Sequence, residues 1–100
     1  MRTPPRVAVI GAGYFAQFHL EGWRDAGAQV AALCDLDLAR ADALGSRFAV
    51  PQRFADAAQM LDLVRPELVD VVLPPQAQLP MVRAARTKTG LTVRMPCSVA

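Results

Sequence analysis

The stretch from Val7 to Asp35 restricts this chain most. It runs Val7-Ala8-Val9-Ile10, then Gly11-Ala12-Gly13-Tyr14-Phe15-Ala16, then a helical stretch, then Val30-Ala31-Ala32-Leu33-Cys34-Asp35. Apolar strand, glycine turn, helix, second strand and acid, in that order, are the parts of a dinucleotide-binding βαβ unit. Gly11 lets the chain leave the strand sharply. Gly13 has no Cβ, so a pyrophosphate can approach the backbone. Ala16 is small enough for the helix to pack close to the strand. The N–H groups of Tyr14 to Ala16 open the helix, with the positive end of its dipole toward the phosphates. Asp35 follows the glycines by roughly 20 residues, where a carboxylate can accept hydrogen bonds from a ribose diol. The glycine motif alone is a weak signal; the strand, helix and acid around it make it specific. The competing chemistry is a methyltransferase-like domain holding S-adenosylmethionine, which also uses a glycine turn and a second-strand acid.

The remaining pattern extends the same architecture. Arg6 to Ile10 reads as a central parallel strand. A helix from about Tyr14 to Ala26 places Phe15, Phe18, Gly22 and Ala26 on one face, with Gly22 and Ala26 close to the sheet, and Gly27 ends it. Asp37 caps a second helix with Leu38, Ala41, Leu44 and Phe48 on its inner face, closed by Val50-Pro51. A short strand over Gln52 to Phe54 follows. Asp56 and Gln59 fit a capping box for a third helix with Ala57, Leu61 and Val64 buried, stopped by Pro66. Leu68 to Leu73 reads as a fourth strand. A fourth helix starts near Leu79, with Pro80 in its first turn and Leu79, Val82 and Ala85 inward. Gly90 ends it, and Leu91 to Val93 begins a fifth strand. The fold class is α/β: a doubly wound parallel sheet of Rossmann type with helices on both faces, expected to be truncated after the fifth strand. Residues 1–100 form one domain.

Composition excludes other classes. The net charge is +2 at pH 7, and the arginines are scattered, with Lys88 the only lysine. No basic stripe forms, so nucleic acid is not an expected partner. Met1 to Arg6 is followed by only a short apolar run, so no signal peptide or membrane anchor is expected, and the cytoplasm is the default location. Cys34 and Cys97 have neither metal-ligand nor redox spacing. No metal site is expected, and Cys34 reads as a small buried hydrophobe. His19, on the first helix, reads as a packing or hydrogen-bonding residue rather than a catalyst.

These residues together resemble a known family, that of glucose–fructose oxidoreductase and inositol dehydrogenase (Gfo/Idh/MocA). The likeness rests on Val7 to Ala16, His19, Leu33-Cys34-Asp35 with Arg40-Ala41, Phe48-Ala49-Val50-Pro51, Val69-Asp70-Val71-Val72 and Pro74-Pro75. The resemblance implies a domain binding NAD, with NADP the alternative, joined in the family to a C-terminal substrate domain. It implies hydride transfer to or from a sugar, polyol or related carbinol. The cofactor-binding residues it implies are Gly11, Ala12, Gly13, Tyr14, Phe15, Ala16, Asp35, Arg40, Leu73 and Pro74. Asp35 points to NAD, because a free carboxylate repels a 2′-phosphate.

The chain also departs from that family. Its Glu-Lys-Pro after the fifth strand aligns with Pro96-Cys97-Ser98, so Cys97 occupies the lysine's place and cannot supply an ammonium. The family's histidine after the fourth strand is Gln78. The run Val72-Leu73-Pro74 is about three residues short of the family's loop. The family's substrate domain, with its acid–base residues, is expected to be missing from these residues. No catalytic residue is assigned, and the chain alone is expected to be inactive. Two readings share the cofactor site: the nucleotide-binding half of an oxidoreductase, and a truncated non-catalytic module holding a dinucleotide or a partner. An open sheet edge after Leu91 to Val93 is expected to dock the missing domain or to self-associate.

Overall fold

The computed structural model describes residues 4–74, 76–78, 80, 81, 83 and 92–94, the last three as backbone. The element order is β1 (Arg6–Ile10), α1 (Ala16–Asp25), β2 (Gln29–Cys34), α2 (Leu38–Phe48), β3 (Gln52–Phe54), α3 (Ala57–Val64), β4 (Leu68–Val71) and β5 (Thr92–Arg94). All paired strands are parallel, in the order β3-β2-β1-β4-β5. Parallel neighbours need crossovers, and the helices between the strands supply them. The expected doubly wound sheet is thus present.

Alternation along β1 divides the core. Val7 and Val9 face one layer with Leu33, Ala16, Leu20, Ala41, Leu44 and Val50. Ala8 and Ile10 face the other with Val69, Val71, Met60, Leu61 and Val64. Helices α1 and α2 therefore cover one face and α3 the other. Side chains such as Leu20, Leu33 and Met60 are fully buried; burial of each stabilises the fold by about 1.5–3 kcal/mol.

Helix ends follow local chemistry. Asp37 accepts from the Ala39 N–H at 3.1 Å, and Asp56 from the Ala58 N–H at 2.9 Å. Ala49 and Arg65 close α2 and α3 in the left-handed region, at φ of 55° and 49°. Arg6 clamps the far end of α3, its guanidinium donating to the carbonyls of Arg65 at 3.1 Å and Val64 at 2.7 Å. Cations favour helix C-termini for this reason.

Several expectations about faces and bounds need correction. The inner face of α1 is Ala16, Leu20 and the half-buried Trp23, not Phe15, Phe18, Gly22 and Ala26. Phe15 and Phe18 are exposed, and no atom lies within 4 Å of a Cβ built on Gly22. Ala16 fixes the phase of the helix, and i, i+4 and i+7 from it give the buried positions. In α3 the fully buried residue is Met60, which joins Leu61 and Val64, while Ala57 is half-buried. Strand β4 ends at Val71 rather than Leu73. Residues 76–78, 80, 81 and 83 are helical, so this helix begins ahead of Leu79. Pro75, Leu79, Val82, Ala85, Gly90, Leu91, Pro96, Cys97 and Ser98 lie outside the described residues.

Candidate dinucleotide-binding site

Strands β1 and β4 are neighbours, yet the chain proceeds from β1 to one side of the sheet and from β4 to the other. At such a reversal a crevice opens beyond the carboxyl ends of the strands. The glycine loop leaves β1 there and residues 72–74 leave β4. The Val72 N–H donates to the Ile10 carbonyl at 2.7 Å, which ties the two exits together.

The two glycines of the loop serve different needs. Gly11 has φ +110°, and a Cβ there would lie 2.1 Å from the Val72 carbonyl oxygen. Only glycine fits that backbone and that neighbour. Around Gly13 no atom lies within 4 Å of such a Cβ, and its φ is not in the left-handed range. The missing side chain there relieves no clash inside the protein; it leaves space open at the loop.

The loop's hydrogen bonds identify its free donors. Gly11 N–H donates to the Cys34 carbonyl at 2.7 Å, and Ala12 N–H donates to Asp35 Oδ2 at 2.8 Å. Ala16 N–H returns to the Gly13 carbonyl at 3.1 Å. Helix α1 accordingly starts at Ala16 after Phe15, not at Tyr14, and it carries no side-chain cap and no acid in its first turn. Among the described residues, the N–H groups of Gly13, Tyr14 and Phe15 have no acceptor. The free amides are therefore Gly13 to Phe15, one residue earlier than expected. Three such donors at an uncapped, positive helix end form an anion cradle.

Asp35 sits just past β2 and is half-buried. Its Oδ2 receives the Ala12 N–H and its Oδ1 the Asp37 N–H, each at 2.8 Å. Each carboxylate oxygen retains acceptor capacity, so the outer lone pairs remain for a diol. A cleft of about 360 Å³ runs between Ala12 to Tyr14 and the α2 face of Arg40, Leu44 and Arg47. Arg40 is exposed, its Nε 3.8 Å from Asp37 Oδ2. Arg47 Nη2 donates to Gln17 Oε1 at 3.3 Å, and its guanidinium lies 5.3 Å from the Phe48 ring centre. Arg47 and Gln17 escaped the sequence reading, and Leu44 is expected there only as an inner-face residue of the second helix, although helical spacing from Arg40 reaches both Leu44 and Arg47.

Of the residues expected to hold the cofactor, Ala12, Gly13, Tyr14 and Arg40 line this cleft; Gly11 and Phe15 flank them in the loop, and Asp35 is tied to Ala12 by its hydrogen bond. Ala16 is buried beneath the cleft. Leu73 lies behind the loop: its Cδ2 is 3.3 Å from where a Gly11 Cβ would be. Gln78, nearly buried, donates to the Leu73 carbonyl at 2.7 Å, and Ala77 N–H donates to the Pro74 carbonyl. Gln78 thus holds the turn after β4, and Pro74 is exposed on it.

His19 has a hydrogen-bonding role, as expected. Its Nδ1 donates to Asp70 Oδ2 at 2.9 Å, and Trp23 Nε1 donates to the same oxygen at 2.8 Å. Asp70 is 2% exposed, and its Oδ1 has no partner among the described residues. Burial pushes the Cys34 thiol up from 9.0 to about 11, with the neighbouring carboxylates of Asp35 and Asp56 adding to the effect. A thiol so shifted is inert near neutral pH. Among the described residues no cluster of His, Cys, Asp and Glu could hold a metal ion, and no helix is long and apolar enough to cross a membrane.

The residues present fit a dinucleotide: open space at Gly13, three free amides and an acceptor at Asp35. Comparison with known proteins agrees. A family model described as an oxidoreductase family with an NAD-binding Rossmann fold matches residues 5–92. D-apiose dehydrogenase of Paraburkholderia graminis is 43% identical over 65 residues, covering 64% of this chain and 17% of the relative. D-apiose dehydrogenase of Rhizobium rhizogenes is 34% identical over 84 residues, covering 83% of this chain and 24% of the relative. The solved structure of myo-inositol dehydrogenase from Lactobacillus casei, in complex with NAD(H) and myo-inositol, superposes with a TM-score of 0.86 at 25% identity. That match covers 98% of this chain and 30% of the neighbour. An oxidoreductase from Agrobacterium radiobacter, in complex with NAD+, L-tartaric acid and magnesium, gives a TM-score of 0.83 at 29% identity over 91% of this chain and 27% of its own. The chain spans about a quarter of the length of such relatives. By its fold, its glycine loop and this match, the chain belongs to the Gfo/Idh/MocA oxidoreductase family, with its NAD-binding Rossmann fold.

Proposed function

We propose that the chain holds NAD as the nucleotide-binding part of an oxidoreductase acting on a sugar, polyol or related carbinol. The free amides of Gly13, Tyr14 and Phe15 at the uncapped start of α1 carry this reading. They receive the pyrophosphate, while Asp35 accepts from the adenosine ribose. Ala12 and Arg40 line the same cleft, and Leu73 and Pro74 border the nicotinamide half. When bound, the nicotinamide supplies a hydride acceptor or donor; the residues described here bind and orient it. The relatives are dehydrogenases of apiose and inositol, which supports a carbinol substrate.

NAD is favoured over NADP because the Asp35 carboxylate is held in place and opposes a 2′-phosphate. The location that goes with this reading is the cytoplasm. The β5 edge is assigned to a further domain or to a second copy of the chain. NADH titration tests the cofactor reading: nicotinamide fluorescence rises on binding and is reversed by NAD far better than by NADP. Reversal by S-adenosylmethionine, with NAD ineffective, would overturn it in favour of a methyltransferase-like domain.

A further inference from the structure

We propose that Asp35 is a positioning residue for the glycine loop, which it shapes before any cofactor arrives. This inference rests on the cofactor site above and gives the acid a second task besides facing a ribose. Three bonds fix Asp35 itself. Its backbone N–H donates to the Phe54 carbonyl at 3.0 Å, its Oδ1 accepts from Asp37 N–H, and its Oδ2 accepts from Ala12 N–H. The end of β3 meets this residue through its backbone, and the entry to α2 and the glycine loop meet on its side chain.

The bond to Ala12 matters most. Gly11 is already held by the Cys34 carbonyl, so the loop diverges from the sheet at Ala12. Ala12 is nearly buried, at 9% exposure, and its amide has Asp35 as its acceptor. Take the carboxylate away and a part-buried donor loses its acceptor, which favours any loop conformation that returns it to water. The next three amides, Gly13 to Phe15, are the free ones. Their orientation follows from the peptide plane that Asp35 holds at Ala12. Asp35 thus acts on the phosphate cradle through Ala12, without touching a phosphate.

The two tasks separate by ligand. If Asp35 serves the ribose alone, its loss is silent toward a dinucleotide whose adenosine ribose lacks both hydroxyls. The experiment titrates wild type, Asp35→Ala and Asp35→Asn with NADH and with its 2′,3′-dideoxyadenosine analogue. The positioning role predicts that Asp35→Ala weakens the analogue about tenfold, the size of one charge-assisted hydrogen bond. Asp35→Asn, which keeps one acceptor oxygen, falls between. Amide exchange without ligand gives the second readout: in both variants Ala12 exchanges faster, while neighbouring Gly11 keeps its wild-type rate. A general loss of stability would speed both amides. Equal analogue affinity in wild type and both variants, with Ala12 exchange unchanged, overturns the positioning role and leaves the cofactor reading intact. Wild type binding neither NADH nor the analogue overturns the cofactor reading, and this role with it.

Discussion

Gly11 and Gly13 sit two positions apart and answer to different constraints. Gly11 is required by the fold, because the Val72 carbonyl occupies the place of a side chain and φ is +110°. Gly11→Ala is expected to destabilise the chain by about 3 kcal/mol, read from the denaturant midpoint. Gly13→Ala meets no atom within 4 Å, so its stability is expected to stay within about 0.5 kcal/mol while NADH affinity falls at least roughly tenfold. Equal effects of the two substitutions on folding would contradict this division. Asp70 is the other residue under strict demand. Asp70→Ala leaves His19 and Trp23 donating into a buried gap, and about 2–4 kcal/mol of stability is expected to be lost. Trp23 fluorescence should report the rearrangement directly. Cys34 makes a pH statement. Its thiol pKa is raised in the folded state, from 9.0 to about 11, so the unfolded chain loses that proton first. The stabilisation from a neutral, buried thiol is complete below about pH 9 and is lost as pH rises through about 11. A Cys34→Ala variant should show a shallower fall in stability across that window than wild type.

The elements show what local chemistry can and cannot announce. The strand, glycine turn and second-strand acid were legible because each needs particular residue types at fixed spacing. The caps at Asp37 and Asp56 were legible for the same reason. Replacing Asp56 by alanine should cost about 1 kcal/mol in thermal or chemical melts. The inner face of α1 was misread, because Phe18, Gly22 and Ala26 keep helical spacing as well as Ala16, Leu20 and Trp23 do. Only the docking of Ala16 against the sheet selects between the two phases. Met60 was missed because α3 is apolar on more than one side, with Leu63 exposed. Asp70 lies far along the chain from His19 and Trp23, and no local pattern links a strand acid to donors on a distant helix. The engagement of both Asp35 oxygens by backbone N–H groups was equally invisible, since backbone donors leave no trace in residue identity.

On the scale of the entire fold, the crevice at the β1/β4 reversal lies at the carboxyl ends of the strands, and among the described residues the edge strands of the sheet are β3 and β5. An edge strand presents unpaired backbone groups to any available partner. A domain of this size buries only about two thirds of its unfolded surface, so added burial is favourable. Sedimentation velocity is expected to show mass rising with concentration; a single monomeric species across the micromolar to millimolar range would contradict the β5-edge assignment. The central claim is that backbone N–H groups at the start of α1 receive the cofactor's phosphates. Amide chemical shifts followed by NMR during NAD addition test it most directly. The account predicts that Gly13, Tyr14 and Phe15 shift most, with Ala12 and Asp35 following. Saturable binding that leaves those three amides unmoved and shifts another face of the sheet would contradict it.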